Sequence, residues 1–213
     1  MNIPQELFLK QIENGPMANF TYFIGDAGTQ EVGIVDPGWD SKELIKIAEK
    51  EHVKIVAVLL THGHFDHANE ADSLALEFNI PIYVSLYEPI SLKSKNLIKV
   101  DNYQKINIGS IEIDCLLTPG HTPGSQCFKY KNVLLTGDTL FLGCCGRCDL
   151  PGGNPKDMYH SLYNIIMKLP DATLLFPGHA YSEASYATLF EQKRTNPYLM
   201  CKNEQEFLEE FMG

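Results

Sequence analysis

The sequence predicts an α/β fold of the α+β kind, spread as one domain over residues 1–213. Three observations carry this. Apolar, β-branched runs of strand length alternate with stretches of helical period, most clearly between residues 41 and 85. The opening reads as short strands separated by Gly, Asn or Pro. Histidines and aspartates then recur just past predicted strands.

Leu7 to Ile12, Asn19 to Gly25 and Glu31 to Val35 read as a three-stranded meander. Asp36-Pro37-Gly38 is a turn. Ser41 is a good N-cap for a helix to about Lys50, with Leu44, Ile45, Ile47 and Ala48 as its apolar stripe. Lys54 to Leu60 is a buried strand, Ala68 to Phe78 a helix, and Pro81 to Ser85 another strand. Leu86 to Lys99 is weakly patterned and reads as loop with room for a short helix. Lys105 to Ile108 and Ile111 to Leu117 are strands around Gly109-Ser110. Thr118 to Gly124 is a stiff Pro/Gly loop, followed by a hairpin over Ser125 to Thr136. Gly143 to Gly153 is irregular. Asn154-Pro155 opens a helix to about Lys168 in the manner of a cap followed by Pro. A strand over Thr173 to Phe176, a helix over Glu183 to Arg194 and an acidic helical tail at about 203–212 complete the chain.

Composition narrows the function. A 213-residue chain with 44% hydrophobic residues fits a globular core. A formal charge of −10 argues against a general nucleic-acid or anionic-membrane partner. It leaves room for an anionic small substrate, because a local Arg or metal reverses the field inside a cleft. The opening residues carry no basic, apolar leader and no run is long enough to span a bilayer, so the expected location is cytoplasmic. The six cysteines then read as thiols rather than disulfides. The oligomeric state is left open.

The chemistry concentrates in Thr61-His62-Gly63-His64-Phe65-Asp66-His67, between a buried strand and a helix. Residues two apart in extended chain point to one side, so His62 and His64 face one point. Asp66 and His67 approach from the turn into the helix. Such a cluster suits zinc foremost, and also iron or manganese. The bland alternative is a polar turn with Asp66 as an N-cap. His121, Asp138 and His179 each follow another predicted strand, which makes seven candidate ligands, enough for two metals sharing a carboxylate. His52 and His160 lie in polar helical contexts and receive no role.

His-x-His-x-Asp-His at 62–67, Pro-Gly-His at 119–121, Gly-Asp-Thr at 137–139 and Pro-Gly-His at 177–179 resemble the metallo-beta-lactamase superfamily over nearly the whole chain. That resemblance implies an αββα four-layer sandwich of two mixed sheets with helices outside. It implies that His62, His64 and His121 hold one metal, that Asp66, His67 and His179 hold another, and that Asp138 bridges them. Lactamase members commonly carry Cys at the position of Asp138, so the resemblance points to the glyoxalase II-like branch. Gly137 to Phe141, then Cys145-Gly146-Arg147, and Arg194-Thr-Asn-Pro197 resemble glyoxalase II and the related persulfide dioxygenases. In the dioxygenases an Arg and a Tyr at the positions of Arg147 and Tyr181 contact glutathione.

The resemblance implies a metal-dependent hydrolase of a small thioester, with Asp66 and Asp138 as the catalytic carboxylates. The partner would be a small thioester or a glutathione-like thiol, with Arg147 and Tyr181 binding it. The alternative is a persulfide dioxygenase holding one iron through His62, His121 and Asp138. Two departures stand out. Little chain follows His179, which is too short for the helical domain with which glyoxalase II grips glutathione. Cys144 replaces the usual small residue, and Cys145-x-x-Cys148 is weighed between redox or metal chemistry and simple packing.

Overall fold

A computed structural model describes residues 3–212. Two six-stranded sheets face each other. The first runs β1 (Leu7–Asn14), β2 (Asn19–Asp26), β3 (Glu31–Val35), β4 (Lys54–Leu59), β5 (Ile82–Ser85), β6 (Leu97–Val100), in that order across the sheet. Its meander half is antiparallel, and β3 to β6 are parallel. The second sheet contains β7 (Lys105–Ile108), β8 (Ile111–Leu117), β9 (Gln126–Tyr130), β10 (Val133–Gly137), β11 (Leu174–Pro177) and β12 (Ala187–Thr188), and these too are spatially consecutive. Only β10 and β11 are parallel there.

The period-2 pattern explains the layers. In β2, Phe20, Tyr22 and Ile24 enter the core between the sheets, while Phe23 points out to the first helical layer. In β10, Val133 and Leu135 point in, and Leu134 meets the second helical layer. Both faces of β10 are therefore apolar over Val133 to Leu135, which is why that stretch reads as a continuous apolar run rather than an alternating one. The first outer layer holds α1 (Ser41–Lys50) and α3 (Ala71–Phe78). The second holds α4 (Pro155–His160), α5 (Leu189–Thr195) and α6 (Glu204–Met212), whose Phe207 is fully buried beside Leu162 and Leu199. Removing a ring such as that of Phe128, fully buried between the sheets, would cost about 3–5 kcal/mol.

Several local expectations change. The cap of α1 is Asp40, whose side chain accepts the Glu43 N–H at 3.1 Å, and Ser41 is the first helical residue. The helix expected from Ala68 begins earlier, as the short α2 (Phe65–Ala68), and resumes as α3. The stretch expected to be loop contains β6, an edge strand. The helix from Pro155 loses α geometry after His160, passing through a π turn and a 3-10 turn to Lys168. The last body helix is shorter than expected, because residues 181–186 are irregular and α5 starts at Leu189 behind a Thr188 capping box. The opening residues Met1 and Asn2, on which the leader reading partly rests, lie outside the described residues. Among the described residues no helix is long and apolar enough to cross a membrane.

Candidate metal centre

All seven expected ligands arise where strands end at one rim of the two sheets. β4 delivers His62, His64, Asp66 and His67. β8 delivers His121, β10 Asp138, and β11 His179. Glycine permits this crowding. A Cβ on Gly178 would meet the Asp138 carboxylate, and one on Gly146 would meet the Asp138 carbonyl. Asp66 lies inside the first turn of α2 and does not cap it. The extended cap residue is His64, whose side chain makes no capping bond and is free to turn inward.

Two three-residue sets form. His62, His64 and His121 bring one atom each within 4.8 Å of one another, as do Asp66, His67 and His179. His62 Nε2 and His64 Nδ1 are 3.1 Å apart, and His121 Nε2 is 2.9 Å from His64 Nδ1. Ligands of a tetrahedral zinc at 2.0–2.1 Å would stand about 3.3 Å apart. Asp138 lies between the sets. Its Oδ2 is 3.5 Å from His121 Nε2 and 3.4 Å from His179 Nε2, and its Oδ1 is 3.3 Å from His67 Nε2. Asp36 with His62 and His67 is a third such grouping, but both Asp36 oxygens are already engaged by Thr61 and His67.

The outer contacts fix the direction of the lone pairs. His121 Nδ1 meets the Arg147 carbonyl at 2.7 Å, and His179 Nδ1 meets the Met17 carbonyl at 2.9 Å. His67 Nδ1 meets Asp36 Oδ2 at 3.1 Å. The Thr61 hydroxyl donates to Asp36 at 2.6 Å, so it faces His62 Nδ1, 3.1 Å away, as an acceptor. In their neutral form each of these four rings donates outward from Nδ1 and aims the Nε2 lone pair inward, as a metal ligand does. Two such lone pairs 3.1 Å apart, as on neutral His67 and His179, repel unless a proton or a metal cation lies between them. Asp138 Oδ1 is buried and without a hydrogen-bond donor, a costly state that a metal relieves. The residues present thus fit two divalent cations.

Without such cations the charges compensate among themselves. Burial pushes the His62 ring well below its ordinary value, and its His67 and His121 neighbours add to this. Burial likewise lowers His64. Burial works against a charged His67, but Asp138 and Asp36 outweigh it and raise the ring well above its usual value. Burial would raise the Asp138 carboxyl, yet His67, His179 and His62 hold it well below the carboxylate range.

Arg147 and Tyr181 both line the cavity of about 160 Å³ that opens onto His64, Asp66, His121, Asp138 and His179. Tyr181 stacks on His179 with ring centroids 4.7 Å apart and 12° between planes. Arg147 forks onto Asp149 at 2.9 and 2.8 Å. That pair is exposed and so holds weakly, which leaves the guanidinium available to an anionic ligand. His52 and His160 lie exposed and away from the centre, as expected. The cysteines belong to the packing. Cys145, Cys148 and Cys201 lie in the core beneath the second helical layer, and burial pushes the Cys148 thiol up to about 12. All six cysteines are free.

Four residues that local sequence reading missed hold the ligands. Asp36 carries Thr61 and His67. Asn19 donates to Asp66 Oδ2 at 2.9 Å and is held in turn by the Trp39 indole at 2.9 Å. Thr61 supports His62, and Glu88 joins two ligand loops. A buried polar side chain beside a ligand motif is the signal, but it is visible only after folding.

Comparison with known proteins agrees with this geometry. The metallo-beta-lactamase superfamily model matches residues 14–95 and 116–179. The chain belongs to that superfamily. It is 31% identical over 192 residues to the "Probable polyketide biosynthesis zinc-dependent hydrolase PksB" of Bacillus subtilis, covering 89% of this chain and 85% of that one. Among solved structures, ETHE1 from Myxococcus xanthus superposes with a TM-score of 0.89 at 27% identity, over 97% of this chain and 90% of that one. TTHA1623, described in a di-iron-bound form, superposes with a TM-score of 0.77 at 27% identity, over 89% of this chain and all of that one. The sandwich of this chain presents its His and Asp clusters at one sheet rim, and the two relatives whose descriptions name a metal differ, one in zinc and one in iron.

Proposed function

We propose that this chain is a two-metal hydrolase of a small thioester. The observation that carries the reading is the pair of three-ligand sets with the Asp138 carboxylate, whose buried Oδ1 has no hydrogen-bond donor, between them. These residues would hold two divalent metals, zinc foremost, which when bound would supply an activated water at neutral pH and a Lewis acid for the carbonyl oxygen. Asp66 Oδ2 takes the Asn19 bond and also lies 3.4 Å from His67 Nε2 and 3.5 Å from His179 Nε2, so this oxygen is turned to the centre, where Asp66 orients the attacking group. Asp138 fixes the spacing of the two sets. Arg147 binds an anionic arm of the substrate, and Tyr181 packs against that arm from its position over His179. The leaving thiolate needs little acid assistance, because thiols ionise far more readily than alcohols.

The test is a thioester panel on metal-loaded protein and its His64→Ala variant. Turnover should fall by on the order of a hundredfold or more. Undiminished turnover in the variant, or a wild-type chain that cleaves a β-lactam and no thioester, would overturn the reading.

A second reading is the oxidation of glutathione persulfide at a single iron held by His62, His121 and Asp138. What favours it is the presence of Arg147 and Tyr181 on the same cavity, the positions that resemble glutathione contacts in the dioxygenases. Metal content and oxygen uptake separate the two. About two zinc-type ions per chain and no oxygen uptake support hydrolysis, whereas about one iron and uptake with persulfide support oxidation.

A further inference from the structure

Glu88 lies outside the seven-residue cluster, yet it is bonded to two of the loops that form it. The residue is only 5% exposed. Oε1 accepts the N–H of Gly63, between His62 and His64, at 2.8 Å. Oε2 accepts the hydroxyl of Thr122, the residue after His121, at 2.7 Å. Glu88 is itself anchored. Its N–H donates to the Ser85 carbonyl at the end of β5 at 3.1 Å, and the Lys99 ammonium on β6 donates to the Glu88 carbonyl at 3.0 Å. Gly63 and Gly124 press so closely on Glu88 that a Cβ at either would collide with it.

A carboxylate is a costly way to fill a buried position unless every bond it makes is good. Here both bonds go to ligand loops, and both concern one set. The other set has different outer partners: Asp36 for His67, the Met17 carbonyl for His179 and Asn19 for Asp66. We propose that Glu88 is the positioning residue of the His62, His64 and His121 metal set, holding the two loops at the separation that brings those three ring nitrogens together. This rests on the reading above that the set holds a metal.

The test is a competition titration of the full chain with cobalt(II) and a chromophoric chelator, comparing wild type, Glu88→Ala and Glu88→Gln. The equivalent belonging to this set is the one lost in His64→Ala. Glu88→Ala should weaken that equivalent tenfold or more and leave the other little changed. Glu88→Gln should restore most of the affinity. Its Oε1 still accepts from Gly63, its amide donates to the Thr122 hydroxyl, and that hydroxyl turns its proton to Ser125 Oγ, 2.8 Å away. Equal weakening of both equivalents, or no weakening, would overturn the proposal. If Glu88→Ala does not fold, Thr122→Val removes one of the two bonds. It should weaken the same equivalent several-fold, and an unmoved equivalent there counts against the proposal. A wild-type chain that takes up one equivalent sinks the two-metal reading alone, and Glu88 is then judged by whether Glu88→Ala weakens that one.

Discussion

Asp36 shows how much of the centre depends on residues that touch no reacting atom. It accepts three hydrogen bonds, from the Thr61 N–H at 2.8 Å, the Thr61 hydroxyl at 2.6 Å and His67 Nδ1 at 3.1 Å. Replacing it with Asn turns one acceptor into a donor facing a donor. Asp36→Asn should therefore lower metal affinity about 10- to 100-fold, read by chelator competition, with the fold retained. Unchanged affinity would mean that the His67 ring is oriented by its ligands alone. The contrast between Asp36 and His62 explains what the sequence could reveal. His62, His64, Asp66, His67, His121, Asp138 and His179 are legible because each is a metal-ligand type standing directly after an apolar strand. Asp36, Asn19, Thr61 and Glu88 are ordinary turn and strand-end residues by local chemistry. The bonds from Asp36 to Thr61, from Asn19 to Asp66 and from Glu88 to Gly63 span 25 or more residues, and only the packing of the sheets brings these pairs together.

At the scale of the element, the departures follow from weak local signals. β6 is four residues on a sheet edge, with Ile98 exposed and Lys99 turned to the β5 end, so it shows no apolar run to read. The Pro155 helix starts where its cap predicts and changes geometry where no Gly or Pro marks the change. The start of α1 misled for another reason. Ser41 and Asp40 are both capping types, and Asp40 takes the role in a left-handed conformation, φ 42°, that Asp tolerates better than most residues. Two effects are then separable. Asp40→Ala loses the cap bond and strains the backbone, and should cost about 1 kcal/mol or somewhat more in urea unfolding. Asp40→Gly loses the bond but accepts the conformation, and should cost only a few tenths. Equal losses would show that the left-handed backbone contributes nothing.

The whole molecule is a sandwich with ligands at one rim and a polar tie at the other. β2 links the two ends. Asn19, at its start, holds Asp66, and Asp26, at its end, lies roughly 23 Å away along an extended strand. Asp26 accepts the Gly28 N–H at 2.7 Å in its own sheet and the Ser110 N–H at 2.7 Å in the β7–β8 turn of the other. Hydrogen bonds from Ser110 and then from Gly28 hold its carboxyl well below the usual carboxylate range. An unfolded Asp titrates near about 3.9, so its stabilising contribution is fully present above about pH 4. Below that, the unfolded chain takes up a proton that the folded chain refuses, and the contribution is lost as pH falls towards the folded value. Asp26→Asn should therefore be less stable than wild type at neutral pH and shallower in its loss of stability below about pH 4, so that the two curves converge in acid. Urea midpoints at a series of pH values read this directly, and parallel curves would show that the carboxylate charge is irrelevant. Because the tie and the metal ligands share no partner, Asp26→Asn should leave chelator-measured metal affinity unchanged. A fall in affinity would show instead that the separation of the sheets at the far rim sets the ligand geometry at the near one.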